Sequence, residues 1–177
     1  MTMSHRHLAL AVAAVAVTTL AVACTAGRSP DPAGPTPAPA PAADTAALTA
    51  YAEFWRVTSE ALAAPTSRNW APELNRVATG PALATVLGDV ANYASLPAHT
   101  VGTVRRDPRI DEIGAARIVI LDCVDLGDSR LVSDSTGQPL DDLANRTVRY
   151  RYRADVVRTN AGGWIVERTT PALDEPC

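Results

Sequence analysis

The apolar residues of this chain follow two different periods, and the change falls at Pro97. From Asp44 to Pro97 they recur at helical spacing; beyond it they alternate with polar residues. Leu48, Tyr51, Phe54, Trp55 and Leu62 make the first stripe, with Asp44 as N-cap and Pro65 as the stop. Three aromatics on one stripe are read as a core face. Trp70-Ala71-Pro72-Glu73-Leu74 starts a second, shorter helix, with Pro72 in its first turn and Gly80 as its stop. Pro81 opens a third, whose apolar face is Leu83, Val86, Leu87 and Val90.

After Pro97 the pattern predicts strands. His99 to Arg106 reads as one strand, followed by a turn at Asp107-Pro108. Ala116 to Asp125 is the most apolar run of the folded part and is rich in β-branched residues, so it is read as the central strand. A short strand is expected around Arg130-Leu131-Val132, and a turn at Thr136-Gly137. Thr147 to Arg158 alternates most regularly. Val148, Tyr150, Tyr152, Ala154 and Val156 fall on one side; Arg149, Arg151, Arg153 and Asp155 fall on the other. Asn160-Ala161-Gly162-Gly163 turns the chain into a last strand, Trp164 to Arg168. Three helices followed by an antiparallel sheet is an α+β arrangement.

The first residues follow neither period. Arg6 precedes an apolar stretch from Leu8 to Ala23 that is short for a membrane span and has no cationic flank behind it. A signal peptide over 1–23 is the reading. Leu20-Ala21-Val22-Ala23-Cys24 resembles a bacterial lipobox, which makes Cys24 the lipidated residue. Ala21-Val22-Ala23 also suits ordinary signal peptidase, which would leave Cys24 a free thiol. Residues 24–43 are rich in Ala and Pro and read as an extended stalk. The folded domain is assigned to 44–177.

The three cysteines sharpen this picture. With Cys24 lipidated, Cys123 and Cys177 remain as one pair in an oxidising compartment. The alternative for Cys123 is a buried thiol acting as a small hydrophobe. Cys177 fits that role poorly, because it ends the chain after Asp174-Glu175-Pro176, so a disulfide is expected.

Composition mostly excludes. The formal net charge is −3 and all 16 basic residues are Arg. A mild acidic excess gives no support for a nucleic-acid partner, and the lack of Lys removes Schiff-base chemistry. The chain beyond the leader has one His, His99, and no CxxC; no zinc pattern, nucleophile motif or phosphate-binding glycine loop appears. Asp122, Asp125, Asp128 and Asp134 lack the spacing of a calcium loop. Neither a cofactor nor a metal is expected.

The element order, with Tyr51-Ala52-Glu53-Phe54-Trp55, Asn69-Trp70, Ala78-Thr79-Gly80, Asp107-Pro108-Arg109, Asp122-Cys123-Val124-Asp125 and the terminal Pro176-Cys177, resembles the nuclear transport factor 2-like (NTF2-like) superfamily. More narrowly, it is similar to exported actinobacterial lipoproteins of unknown function. The resemblance covers about residues 44–177. It implies a long N-terminal helix and two short ones packed on a curved antiparallel sheet, a cone that leaves a pocket. It does not imply an activity, because such folds host enzymes, ligand binders and assembly modules.

NTF2-like isomerases and cyclases, which this chain resembles in fold, use carboxylates and a Tyr in an apolar pocket. The catalytic candidates implied are Asp122, Tyr51 and His99. Alternation puts Asp122 on the face of Ile118 and Ile120, and Asp125 on that of Val119 and Leu121. Both can instead sit solvated at the strand end or cap the following turn, and that reading is preferred. Tyr51, Trp55, Asp122 and Asp125 are the binding candidates. Arg149, Arg151 and Arg153 form a basic stripe that either docks an acidic partner or anionic headgroups, or is a solvated face paired with Asp141, Asp142 and Asp155. The preferred function is a non-catalytic binding or assembly module, anchored by lipid on the extracytoplasmic face of the cell membrane. An envelope protein, a small apolar ligand or a second copy of the chain are the partners considered. The rivals are a pocket protein for a small apolar ligand and an isomerase- or cyclase-type enzyme using Asp122.

Overall fold

The computed structural model describes residues 42–140, 145 and 147–177. The expected leader, Cys24, most of the stalk, and Asp141 and Asp142 lie outside the described residues. The first helix, α1 (Ala43–Ala63), buries Ala47, Tyr51, Phe54, Thr58 and Ala61 on one stripe. Those positions step by three or four residues, as a single buried helix face requires. Asp44 lies inside the first turn rather than at the N-cap, where its Oδ1 accepts the Thr45 N–H at 2.8 Å. Pro65 follows the helix, and the end is closed by bonds to the Ala64 carbonyl. Ser67 N–H donates to it at 3.1 Å, Ser67 Oγ at 2.8 Å and Trp70 Nε1 at 2.9 Å.

Helix α2 (Ala71–Val77) has Pro72 in its first turn, and α3 (Gly80–Ser95) has Pro81 in its own. Gly80 therefore opens α3 rather than closing α2. Among the described residues, no helix is long and apolar enough to cross a membrane.

The strands are β1 (Ala98–Val101), β2 (Arg105–Arg106), β3 (Arg109–Ile113), β4 (Arg117–Asp125), β5 (Arg130–Ser133), β6 (Arg149–Arg158) and β7 (Trp164–Ala172). Every pairing between them is antiparallel. Strand β4 lies between β6 on one side and β2 with β3 on the other, so the apolar run from Ala116 is central as predicted. Strand β7 extends the sheet beyond β6, and β1 pairs with β5 as a separate two-stranded ribbon. The molecule is α+β, three helices packed on an antiparallel sheet.

The segment expected as one strand from His99 to Arg106 is divided. Arg105 and Arg106 pair with Asp125 and Val124, whereas Thr100 and Val101 pair with Leu131 and Arg130. Gly102, between them, has φ +83° and lies against the backbone carbonyl of Asp128. A Cβ there would stand 1.8 Å from that oxygen, so only Gly allows the bend. Beyond the bend, β1 pairs with β5 and not with β4, so the ribbon is separate from the main sheet.

The expected turn at Asp107-Pro108 is instead an interruption within an edge. Strand β3, which the sequence reading missed, continues along β4 in line with β2, pairing Arg109 with Leu121 and Ile110 with Ile120. Pro108 has no N–H to give the ladder. The Asp107 N–H is taken by the Asp122 side chain, whose Oδ1 accepts it at 2.7 Å.

Helix α1 packs on the sheet together with α2 and α3, and the core lies between these layers. Tyr51, Phe54 and Leu74 meet Ile118, Ile120, Val156 and Val166 there. Burying each such side chain contributes roughly 1.5–3 kcal/mol, an upper figure because unfolded chains already shield part of it.

Candidate functional site

The site begins with a carboxylate in an apolar setting. Asp122 follows Ile118 and Ile120 on the inner face of β4 and is 2 % exposed. A buried charge must be paired and hydrogen-bonded, and this one is. Tyr51, reaching from α1, donates its hydroxyl to Oδ2 at 2.8 Å. Arg106 of β2 places Nη1 3.2 Å from the same oxygen, and Asp107 N–H occupies Oδ1. Burial and the Asp122 charge push the Tyr51 hydroxyl well above the ordinary phenol range, so it is a donor throughout the physiological range.

Arg106 is also held by stacking. Its guanidinium lies 3.4 Å from the centre of the Trp55 ring, an attraction between cation and ring face. Trp55 in turn meets Phe54 at 4.8 Å and Tyr152 at 5.3 Å edge-on. Burial raises the Tyr152 hydroxyl above its ordinary value.

In front of this cluster lies a cavity of about 810 Å³. The second half of α1 gives it Trp55, Thr58 and Leu62; the bend between β1 and β2 forms another wall, and Tyr150 and Tyr152 of β6 a third. Arg106 is the one charged residue among its described lining. Its size and apolar, aromatic walls are those of a small-molecule site.

The sequence candidates separate in space. Trp55 lines the cavity; Tyr51 and Asp122 form the pair behind its wall. Asp122 is neither solvated nor a turn cap, unlike the preferred sequence reading. Asp125 is the cap, since its Oδ1 accepts the Gly127 N–H at 2.8 Å. His99 lies on β1, where its Nδ1 meets Asp134 Oδ1 at 2.5 Å, apart from the Tyr51–Asp122 pair. Arg106 was not singled out from the sequence. Its only signal is indirect: a buried Asp122 needs a cation, and the register of β2 on β4 supplies it.

Cys123 and Cys177 form a disulfide, with Cα atoms 5.8 Å apart. It sits on the opposite face of the sheet, beside a recess of about 280 Å³ lined by Arg109, Arg149 and Arg151. The basic stripe is exposed; of its expected partners, Asp141 and Asp142 lie outside the described residues. Arg153 pairs with Asp111 at 3.3 Å and Glu112 at 3.0 Å, both on β3. Arg151 lies 4.0 Å from Glu175, and Arg149 Nε donates to Cys123 Sγ at 3.2 Å. Asp155 instead faces Arg117 at 3.7 Å and Arg168 at 4.0 Å. The pairs of Arg151 and Arg153 are exposed, and such pairs contribute about 0–1 kcal/mol each.

These features define a class: a helix-on-sheet α+β domain with a preformed, aromatic-lined cavity. No protein-family model matches the chain, and no curated protein matches it. Among solved structures it is similar to the intermembrane space region of chloroplast protein ARC6. That match has a TM-score of 0.56 at 16 % identity and covers 75 % of this chain and 98 % of that one. At such identity the likeness concerns the fold alone. A designed β-sheet protein also matches, at 11 % identity over 73 % of this chain and 86 % of that one, but its TM-score of 0.29 carries no argument.

Proposed function

We propose that this chain is an exported lipoprotein, anchored through Cys24, whose NTF2-like domain is a non-catalytic binding module holding a small, largely apolar ligand. The observation that carries the reading is the cavity in front of Trp55, whose described lining combines aromatic and aliphatic side chains with Ser and Thr hydroxyls and a single charged residue, Arg106. The enzymatic alternative has less support. The Asp122 side chain is fully buried, and both of its oxygens already accept hydrogen bonds. A general base must reach the proton that it abstracts. Docking through the arginine stripe also has less support, since Arg153 and Arg151 have carboxylate partners of their own.

Native mass spectrometry of the protein extracted from its host's envelope in mild detergent tests the reading. A small molecule retained beyond the lipid is the expected result. A domain that is empty, or that carries only a protein partner, counts against the pocket and returns the argument to an assembly role. The anchor is tested separately: Cys24→Ala should release the protein into the medium, and a variant still bound to membranes places the anchor elsewhere.

A further inference from the structure

The geometry points to the chemical class of the ligand: an uncharged amphiphile, with an apolar body and one hydrogen-bond acceptor such as a ketone or ester carbonyl, whose head lies at the Arg106–Trp55 end of the cavity. The inference rests on the pocket reading above and makes it more specific.

Two observations lead there. The first is charge. Arg106 is the cavity's one cation among the described residues, and no carboxylate lines the wall. Its charge is already balanced from behind by Asp122; the two side chains are 17 % and 0 % exposed. A ligand carboxylate would bring a second anion to a guanidinium that is already paired, in a place where water screens poorly. A neutral acceptor can take one of the guanidinium's remaining N–H groups without that repulsion.

The second is the rest of the lining. Leu62, Val101, Val124, Leu126 and Leu131 offer apolar surface for a chain or ring, beside hydroxyl-bearing side chains such as Thr100 and Thr103.

The test uses the exported chain carrying Cys24→Ala, which retains every described residue. Saturable binding of the neutral dye N-phenyl-1-naphthylamine establishes the pocket; its absence sinks both the pocket reading and this inference. Displacement of the dye by decan-2-one, decanoate and dec-1-ene then reads the head group. The ketone should displace roughly tenfold better than the acid, since burying an unpaired carboxylate is costly, and about fivefold better than the alkene. Decanoate binding as well as the ketone, or an alkene binding as well as the ketone, overturns the inference while leaving the pocket in place.

Discussion

Replacing Tyr51 with Phe deletes one oxygen and leaves the ring where it is. That oxygen donates to Asp122 Oδ2 at 2.8 Å, with the two residues 1 % and 2 % exposed. A hydrogen bond to a charged acceptor contributes roughly 1.5–3 kcal/mol, and water cannot replace the donor where neither residue reaches solvent. Arg106 still lies 3.2 Å from the same oxygen, so the carboxylate keeps a partner and the loss stays below that of a stranded buried charge. Tyr51→Phe should therefore cost about 2 kcal/mol. Urea unfolding followed by Trp fluorescence measures this as a lower midpoint with an unchanged slope. Asp122→Asn and the double variant complete a cycle, whose coupling energy should reach about 1 kcal/mol. A loss below about 0.5 kcal/mol, the level of an ordinary surface change, would refute the reasoning, as would strict additivity in the cycle.

Removing the disulfide, by Cys123→Ser with Cys177→Ser, opens a link across 54 residues of chain and should lower stability by about 4 kcal/mol on the chain-entropy account. A melting temperature unchanged by the double variant or by reductant would count against the bond. Gly102→Ala should lose at least about 2 kcal/mol, from a positive φ and a carbonyl standing where the methyl must go; near-neutral unfolding curves would show that the bend tolerates a side chain. Burial raises the Asp89 carboxyl above its ordinary value, so the folded state holds that proton more tightly than the unfolded one. Its contribution is therefore lost as pH rises from the unfolded pKa of about 3.9 through the folded one. Asp89→Asn should melt higher than the parent at pH 7, with the gain vanishing below about pH 3; a gain of equal size at both pH values would assign the effect to packing.

The sequence by itself determined the elements that local periodicity and punctuation control. Tyr51 and Phe54 on the buried stripe of α1, Pro72 and Pro81 in the first turns of α2 and α3, the central place of β4, and the alternation of β6 all follow from side-chain spacing and from the missing N–H of proline; Leu48, Trp55 and Leu62, read as part of the same core face, are only half-buried, and Trp55 and Leu62 border the cavity. Alternation also put Asp122 on the face of Ile118 and Ile120 without showing that this face is the inner one, and the cysteine count anticipated the bond between Cys123 and Cys177. What the tertiary structure decided depends on which strand meets which. Within His99–Arg106 only Gly102 hints at a break, and its reason lies elsewhere, in the Asp128 carbonyl that approaches it from another part of the chain. Strand β3 was missed for the same reason: Asp107-Pro108 resembles a turn, but the Asp122 carboxylate accepts the N–H that the ladder leaves unpaired, and the edge resumes beyond it. The site follows that rule. Arg106 is one arginine among 16 in the sequence; it becomes the partner of a buried carboxylate and the floor of a cavity only when β2 registers on β4 and α1 lays Trp55 across it. Electrostatic pairing in a protein interior is a property of distance, and distance between remote residues is set by the fold.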